Sequence, residues 1–181
     1  MPRHWLTVRP RSQIHPGFNR RGYRMEVIEW DNGVTLQLYH YQCLVGEGKG
    51  IPLSTTIFWL QDIAIANQVN LPFRPGWIPW RPGLGNALPQ PINYRGRGLG
   101  SILLRQLIAY SRERAFQSIH GQVFRADLEN TPYLLQWYRQ HGFEILAATE
   151  HDSPDLVASL QMSLTATTVE VTNSSSSSYA P

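Results

Sequence analysis

The sequence predicts a single α/β (α+β) domain, with strand-forming segments first and helices alternating with strands later. Three observations carry this. Residues 23–30 and 34–45 alternate apolar and polar side chains on either side of a strong turn signal, Asp31-Asn32-Gly33. Residues 55–65 form a β-branched and aromatic run of strand length. From Leu99 the apolar period becomes helical, and strand and helix patterns then alternate to residue 164. A chain of 181 residues with 42% hydrophobic content, six Trp and eight Tyr fits one ordinary domain with its own core.

Taken in order, residues 1–22 mix Arg, Pro and Gly without periodicity and read as an irregular arm. In the first strand Tyr23, Met25 and Val27 oppose Arg24 and Glu26. Gly46-Glu47-Gly48-Lys49-Gly50 reads as a flexible turn, and residues 55–65 as a strand buried on both faces except near Asp62. Residues 66–93 hold Pro72, Pro75, Pro79, Pro82, Pro89 and Pro91 with Trp77 and Trp80, which excludes a helix or a central strand. A structureless insert of that length is expected to be functional or disordered, and its aromatics argue that it packs on something. In residues 99–116, Leu99, Ile102, Leu103, Leu107 and Tyr110 form the apolar stripe of a helix. Residues 118–126 read as a strand interrupted by Gly121. Thr131 and Pro132 read as the N-cap and first position of a short helix that ends at Gly142 in a left-handed cap. Two strands, 143–149 and 156–164, follow. The predicted layout is an Arg/Pro-rich arm (1–22), a domain (23–165) with its insert (66–93), and a disordered Ser/Thr-rich tail (166–181).

Cys43 is the single cysteine, so the fold needs no internal disulfide; lying in an apolar run, it reads as packing rather than a nucleophile. The most hydrophobic stretch, residues 51–66, is cut by Gln61 and Asp62 and is too short to span a bilayer. A cytoplasmic protein is expected. An organelle transit sequence is the second option, because many Arg precede Glu26, the first acid. The net charge of +3 is carried almost wholly by Arg, with Lys49 the sole lysine. Arg favours bidentate contacts with phosphate and carboxylate, so the arm suits an anionic ligand or partner as well as plain solvation.

The unit that points to chemistry is Tyr94-Arg95-Gly96-Arg97-Gly98-Leu99-Gly100-Ser101, where irregular chain enters a helix. The first helical turn leaves backbone N–H groups unpaired and carries partial positive charge, which a phosphate satisfies. The glycines permit positive φ and close approach of oxygens, and Arg95 and Arg97 add charge-assisted contacts. No hydrophobic strand immediately precedes the glycines, as a dinucleotide-binding turn would need, and no Gly-Lys-Ser/Thr follows, as a nucleoside-triphosphate loop would need.

A second unit, Asn130 followed by Tyr138-x-x-x-Gly142-Phe143, joins the first. Together they resemble the GNAT superfamily of N-acetyltransferases over residues 57–164. Arg95, Gly98 and Gly100 match its phosphate loop. Leu60, Asp62, Ile63 and Ile65 imitate its preceding strand, and Met162-Ser163-Leu164 its last one. The resemblance implies a mixed, mostly antiparallel twisted sheet flanked by helices, with the Pro/Trp-rich insertion before the phosphate-loop helix. It also implies direct transfer of an acetyl or acyl group from acetyl-CoA to an amine acceptor, without a metal. At matching positions the backbone of Ile63 and Ile65 would pair with the pantetheine arm. The groups of Arg95, Arg97, Gly98, Leu99, Gly100 and Ser101 would hold the pyrophosphate, and Asn130 would contact the arm. Tyr138 would give a proton to the leaving thiolate.

A base must take the ammonium proton, and Asp62 is the best-placed carboxylate, ahead of Glu47, His120 and Glu150. The family's usual pair of helices between the first two strands has no counterpart here, and the insert stands at the mouth of the expected site. Two other functions fit the same residues. One is a non-catalytic assembly subunit, contacting a protein partner or a second copy (a homo-oligomer) through the insert and the Arg-rich arm. The other, ranked last, is nucleic-acid binding through the arm and Arg95-Gly96-Arg97.

Overall fold

The computed structural model describes residues 22–30, 32–69 and 91–164. The arm before Gly22, most of the insert and the tail lie outside the described residues. Ten elements follow in order: β1 (Tyr23–Trp30), β2 (Gly33–His40), β3 (Cys43–Pro52), β4 (Ile57–Ile65), α1 (Leu99–Glu113), β5 (Ser118–Phe124), α2 (Arg125–Asn130), α3 (Leu134–Gln140), β6 (Glu144–Ala147) and β7 (Leu156–Ser163). The strands form one seven-stranded sheet in the order β1-β2-β3-β4-β5-β7-β6. Every neighbouring pair is antiparallel except β4 and β5, which are parallel because α1 crosses between them. This is the mixed, mostly antiparallel architecture that the sequence implied.

Alternation decides the layers. Val34, Leu36 and Leu38 of β2 turn to one face and are buried there, as are Phe58 and Leu60 of β4. Leu99, Leu103, Leu104, Leu107 and Ile108 are the buried residues of α1, at the helical spacing read from the sequence, and the helix packs on β2, β3 and β4. Each such leucine removed from water contributes about 1.5–3 kcal/mol. Ile119 and Val123 of β5 and Ala158, Leu160 and Met162 of β7 extend the same layer. Cys43 is half-buried against this core, as expected of a packing cysteine.

Two turns fall elsewhere than the sequence suggests. Residues 34–45 are not one strand: the chain reverses at Tyr41, which has φ 56° and donates its N–H to the Gly22 carbonyl at 2.7 Å. Gly46–Gly50 is then not a turn but the middle of β3. The glycines there are strand residues because their side of the strand is occupied. A Cβ at Gly46 would stand 2.7 Å from Ile65 Cδ1 and 3.1 Å from Leu103 Cδ1, and one at Gly48 3.1 Å from Leu107 Cδ1. Glycine thus brings α1 close to β3, while Glu47 and Lys49, which alternate with the glycines, pair on the other face. Residues 125–130, read as strand end and loop, form α2: the Asp127 carboxylate accepts the Phe124 N–H at 2.8 Å and caps that turn. As a result Thr131 closes α2 rather than opening α3, which starts after Tyr133.

The sheet's most consequential irregularity lies in β4. Lys49 pairs with Asp62 and Gly50 with Leu60, so Gln61 is an extra residue in a β-bulge. At the same point the pairing with β5 stops: Leu60 opposite Gly121 is its last pair, yet β4 runs on to Ile65 and β5 to Phe124. A bulge bends its strand and sharpens its twist, which carries the second half of β4 away from β5. The expectation of a strand buried on both faces is not met: Phe58 and Leu60 are buried, Ile57 and Trp59 on the other face are half-buried, and Gln61, Asp62 and Ala64 are exposed.

Gly50 tests the account of β3. A Cβ there would stand 2.2 Å from Phe58 Cζ and 3.1 Å from the Trp59 carbonyl oxygen. Gly50→Ala is expected to destabilise the fold by about 1–3 kcal/mol, as overpacking does, measured by urea unfolding. A true flexible turn would tolerate it.

Candidate functional site

The glycine loop enters α1 through two left-handed residues, Gly96 (φ 73°) and Gly98 (φ 75°), the latter being the N-cap. A Cβ at either would meet nothing within 4 Å, so here glycine serves conformation and leaves the space above the loop open. The first bond of the helix is Ile102 N–H to the Gly98 carbonyl at 3.2 Å. The N–H groups of Leu99, Gly100 and Ser101 accordingly have no acceptor inside the helix, and no side chain caps them.

What holds the loop is the residue before it. Tyr94 is fully buried, and its hydroxyl lies 2.7 Å from His40 Nδ1 at the end of β2. The Arg97 guanidinium lies over the Tyr94 ring at 5.3 Å. Arg95 reaches the other way, its Nε donating to the Ile65 carbonyl at 3.4 Å. Gly100 completes the junction, since a Cβ there would lie 3.8 Å from Ile65 Cγ1 and 3.6 Å from Trp137 Cζ2. The glycine-loop residues are thereby seated at the end of β4.

The backbone of that end is available. The Ala66 N–H donates to the Val45 carbonyl in β3. Alternation along the strand then turns the backbone of Ile63 and Ile65 to the opposite side, where β5 has departed. The result is a slot between β4 and β5 with strand-type donors and acceptors on one wall and α1's free N–H groups at its mouth.

Tyr138 is 7% exposed. Its hydroxyl has no hydrogen bond among the described residues, yet none of their sealed side-chain polar atoms lacks a partner. The oxygen therefore opens onto free space. Burial pushes its pKa well above the ordinary phenol range, and the charges of Asp62 and Asp127 push further. The same helix explains Gly142-Phe143 structurally. Gly142 (φ 90°) donates to the Arg139 carbonyl and Phe143 to the Tyr138 carbonyl, and the Phe143 ring contacts Tyr138 at 5.4 Å, a Schellman cap. The motif thus fixes the end of α3 and the place of the phenol together.

Asp62 sits where the slot opens toward the face opposite α1. Desolvation raises its pKa although it keeps surface exposure; the Ile63 N–H and Lys49 oppose this, while Asp127 and Glu47 add to it. Glu47 is a poorer base: desolvation works against its charge, but hydrogen bonds from Lys49 and Gln37 hold its pKa low. His120 bonds to Ser118 Oγ at 3.0 Å, and Glu150 is exposed in the loop after β6. Asn130 stands apart, exposed at the end of α2 with its amide donating to the Ala126 carbonyl at 2.9 Å. Sequence reasoning missed Asp127, Trp137 and the His40–Tyr94 pair. Only Asp127 carried a signal, as the acid three residues into a helix whose start was itself missed. No three His, Cys, Asp or Glu side chains converge as metal ligands among the described residues.

The sequence matches no protein-family model and no curated protein. Solved structures do match. Ard1 from Thermoplasma volcanium is 17% identical, with a TM-score of 0.50 over 71% of this chain and 69% of that one. A protein assigned to the acyl-CoA N-acyltransferases from Klebsiella pneumoniae is 18% identical, at 0.50 over 74% of each chain. A third, assigned to the GNAT acetyltransferases from Desulfovibrio desulfuricans, is 15% identical, at 0.50 over 74% and 71%. The chain has the GNAT-type N-acetyltransferase fold. At these identities the likeness is one of fold. Within the GNAT fold, the described helices begin with α1, and none stands between β1 and β2, which pair as a hairpin. Nor is any of them long and apolar enough to cross a membrane.

Asp62 yields a pH-dependent prediction. Its carboxyl binds a proton more readily folded than unfolded, so its contribution to stability is present below the ordinary value of 3.8 and lost as pH rises through the raised folded value. Ionised Asp62 therefore costs stability near neutrality. Asp62→Asn is expected to raise Tm at about pH 7, with the gain vanishing below about pH 4, by thermal unfolding followed across pH.

Proposed function

We propose that the protein is an N-acyltransferase that transfers an acetyl or acyl group directly from acetyl-CoA to an amine. The observation that carries this reading is the junction of three features in one slot. These are the free N–H groups of α1 behind two open left-handed glycines, the backbone of Ile63 and Ile65 that β5 leaves without a strand partner, and the unbonded hydroxyl of Tyr138.

Each feature meets a different part of the thioester cofactor. The pyrophosphate suits the N–H groups of Gly98, Leu99, Gly100 and Ser101, which cost no reorganisation to present. Arg95 and Arg97, now held by Ile65 and the Tyr94 ring, would turn to the phosphates or stay as local charge. The amides of the pantetheine arm suit Ile63 and Ile65, because an extended chain completes a strand where β5 has withdrawn. Asn130, whose amide is bonded to the Ala126 carbonyl at the end of α2, would have to release that bond to contact the arm. The reacting end then emerges beside Asp62 on the polar face.

In the reaction, the amine loses its proton to Asp62, directly or through water, and the free amine attacks the thioester carbonyl. The C–N bond forms, the attacking nitrogen gives its second proton to solvent water, the C–S bond breaks, and the sulfur leaves as a thiolate that solvent can protonate. Raised as it is, the Tyr138 phenol is less acidic than an ordinary thiol, whose pKa is about 8.5. It therefore stabilises the leaving sulfur chiefly by donating a hydrogen bond, and it stays protonated well into the alkaline range. The acceptor is a primary amine of small-molecule or protein origin, and a cytoplasmic setting accords with the single half-buried thiol. The reading of a non-catalytic assembly subunit gains no specific support from the described residues.

Calorimetric titration with acetyl-CoA and with CoA tests the binding claim: saturable binding is expected, abolished by Gly98→Glu, whose carboxylate would repel phosphate. No binding to the wild type would end the enzymatic reading. Tyr138→Phe is expected to bind acetyl-CoA normally and to lower turnover by about 10- to 100-fold, the worth of one hydrogen bond to a developing charge. Equal turnover would remove Tyr138 from the reaction.

A further inference from the structure

Trp137 is placed to act on the phosphate loop from another helix. Its indole N–H donates to Ser101 Oγ at 2.9 Å, and its ring edge lies beside Gly100. It also lies against the Tyr138 ring, at 4.8 Å between centroids. Ser101 is the third residue of α1, so its own backbone N–H belongs to the free set at the helix mouth.

The chemistry of the hydroxyl makes this contact directional. A serine hydroxyl has one hydrogen to give and two lone pairs to accept with. Trp137 occupies a lone pair, so the hydrogen points elsewhere, and it finds no acceptor among the described residues. An ordinary serine in a first helical turn is free to rotate between donating and accepting. Here the indole N–H takes one lone pair and turns the hydroxyl hydrogen away from itself, which leaves the O–H as a further donor in the first turn of α1.

Resting on the acetyl-CoA reading above, we infer that Trp137 is a positioning residue of the phosphate site: its N–H aims the Ser101 hydroxyl at the pyrophosphate. Because Tyr138 follows it directly, the same contact ties the phosphate end of the cofactor to the helix that bears the phenol. Trp137 touches no reacting atom in this scheme. Its contribution is to spare Ser101 the loss of rotational freedom when the anion arrives.

The test is calorimetric, on the full chain, with CoA and with pantetheine, which lacks the pyrophosphate. Trp137→Phe keeps an aromatic ring and loses only the N–H and part of the ring edge. It is expected to weaken CoA by about five- to tenfold, one charge-assisted hydrogen bond being at stake, and to leave pantetheine unchanged. Ser101→Ala is expected to show the same split, and the double variant no further loss than either single one. Equal weakening of both ligands would assign Trp137 a merely structural role and overturn the inference. So would wild-type CoA affinity in Trp137→Phe, or losses that multiply in the double variant. Failure of the wild type to bind CoA would instead overturn the underlying reading, and the inference with it.

Discussion

Past Leu60 and Gly121 the two central strands share no further pairs, although both continue, and backbone polar groups inside a sheet require partners. The bulge at Gln61 creates this situation by adding one residue opposite Lys49 and Gly50. The groups around the opening then make sense as provisional partners. The Ile65 carbonyl accepts from Arg95 Nε, and the Ile63 N–H lies close enough to the Asp62 carboxyl to favour its charge. The Arg95 contact is long at 3.4 Å, and both use side chains with exposed positions. The sheet thus carries a gap closed by groups that a ligand's own amides and phosphates could replace.

Around that gap the fold divides the work between two faces. The α1 face is apolar and close-packed, and glycine in β3 lets the helix approach until leucine side chains touch the strand. That approach sets the helix mouth against the end of β4. The opposite face carries Gln37, Glu47, Lys49 and Asp62, joined by hydrogen bonds and charge. Phosphates and acceptor amine have opposite charge requirements. On the proposed reading, a slot through the sheet would keep them on separate sides while the thioester reached from one to the other.

Much of this was legible in the sequence, for reasons that can be named. The apolar stripe of α1 and the glycines at its entry are local patterns, and Gly96 and Gly98 have the positive φ that the pattern required. Tyr138-x-x-x-Gly142-Phe143 was legible because a Schellman cap is itself local. What was misread depends on distant packing. Gly46-Glu47-Gly48-Lys49-Gly50 looks like a turn until Leu103 and Leu107 are placed against it, and the alternation of its charges was the overlooked clue. The end of the β4–β5 ladder, the Trp137–Ser101 contact and the burial of Tyr94 under its loop join residues far apart in sequence, and no local period announces them.

The central claim is that the gap between β4 and β5 and the mouth of α1 form one ligand slot. Residue-resolved amide hydrogen exchange, with and without CoA, tests it most directly. The account predicts new protection at Ile63, Ile65 and Gly98 through Ser101 together, with β1, β2 and β7 unchanged. Protection confined to the helix mouth, or appearing at other strands, would contradict it.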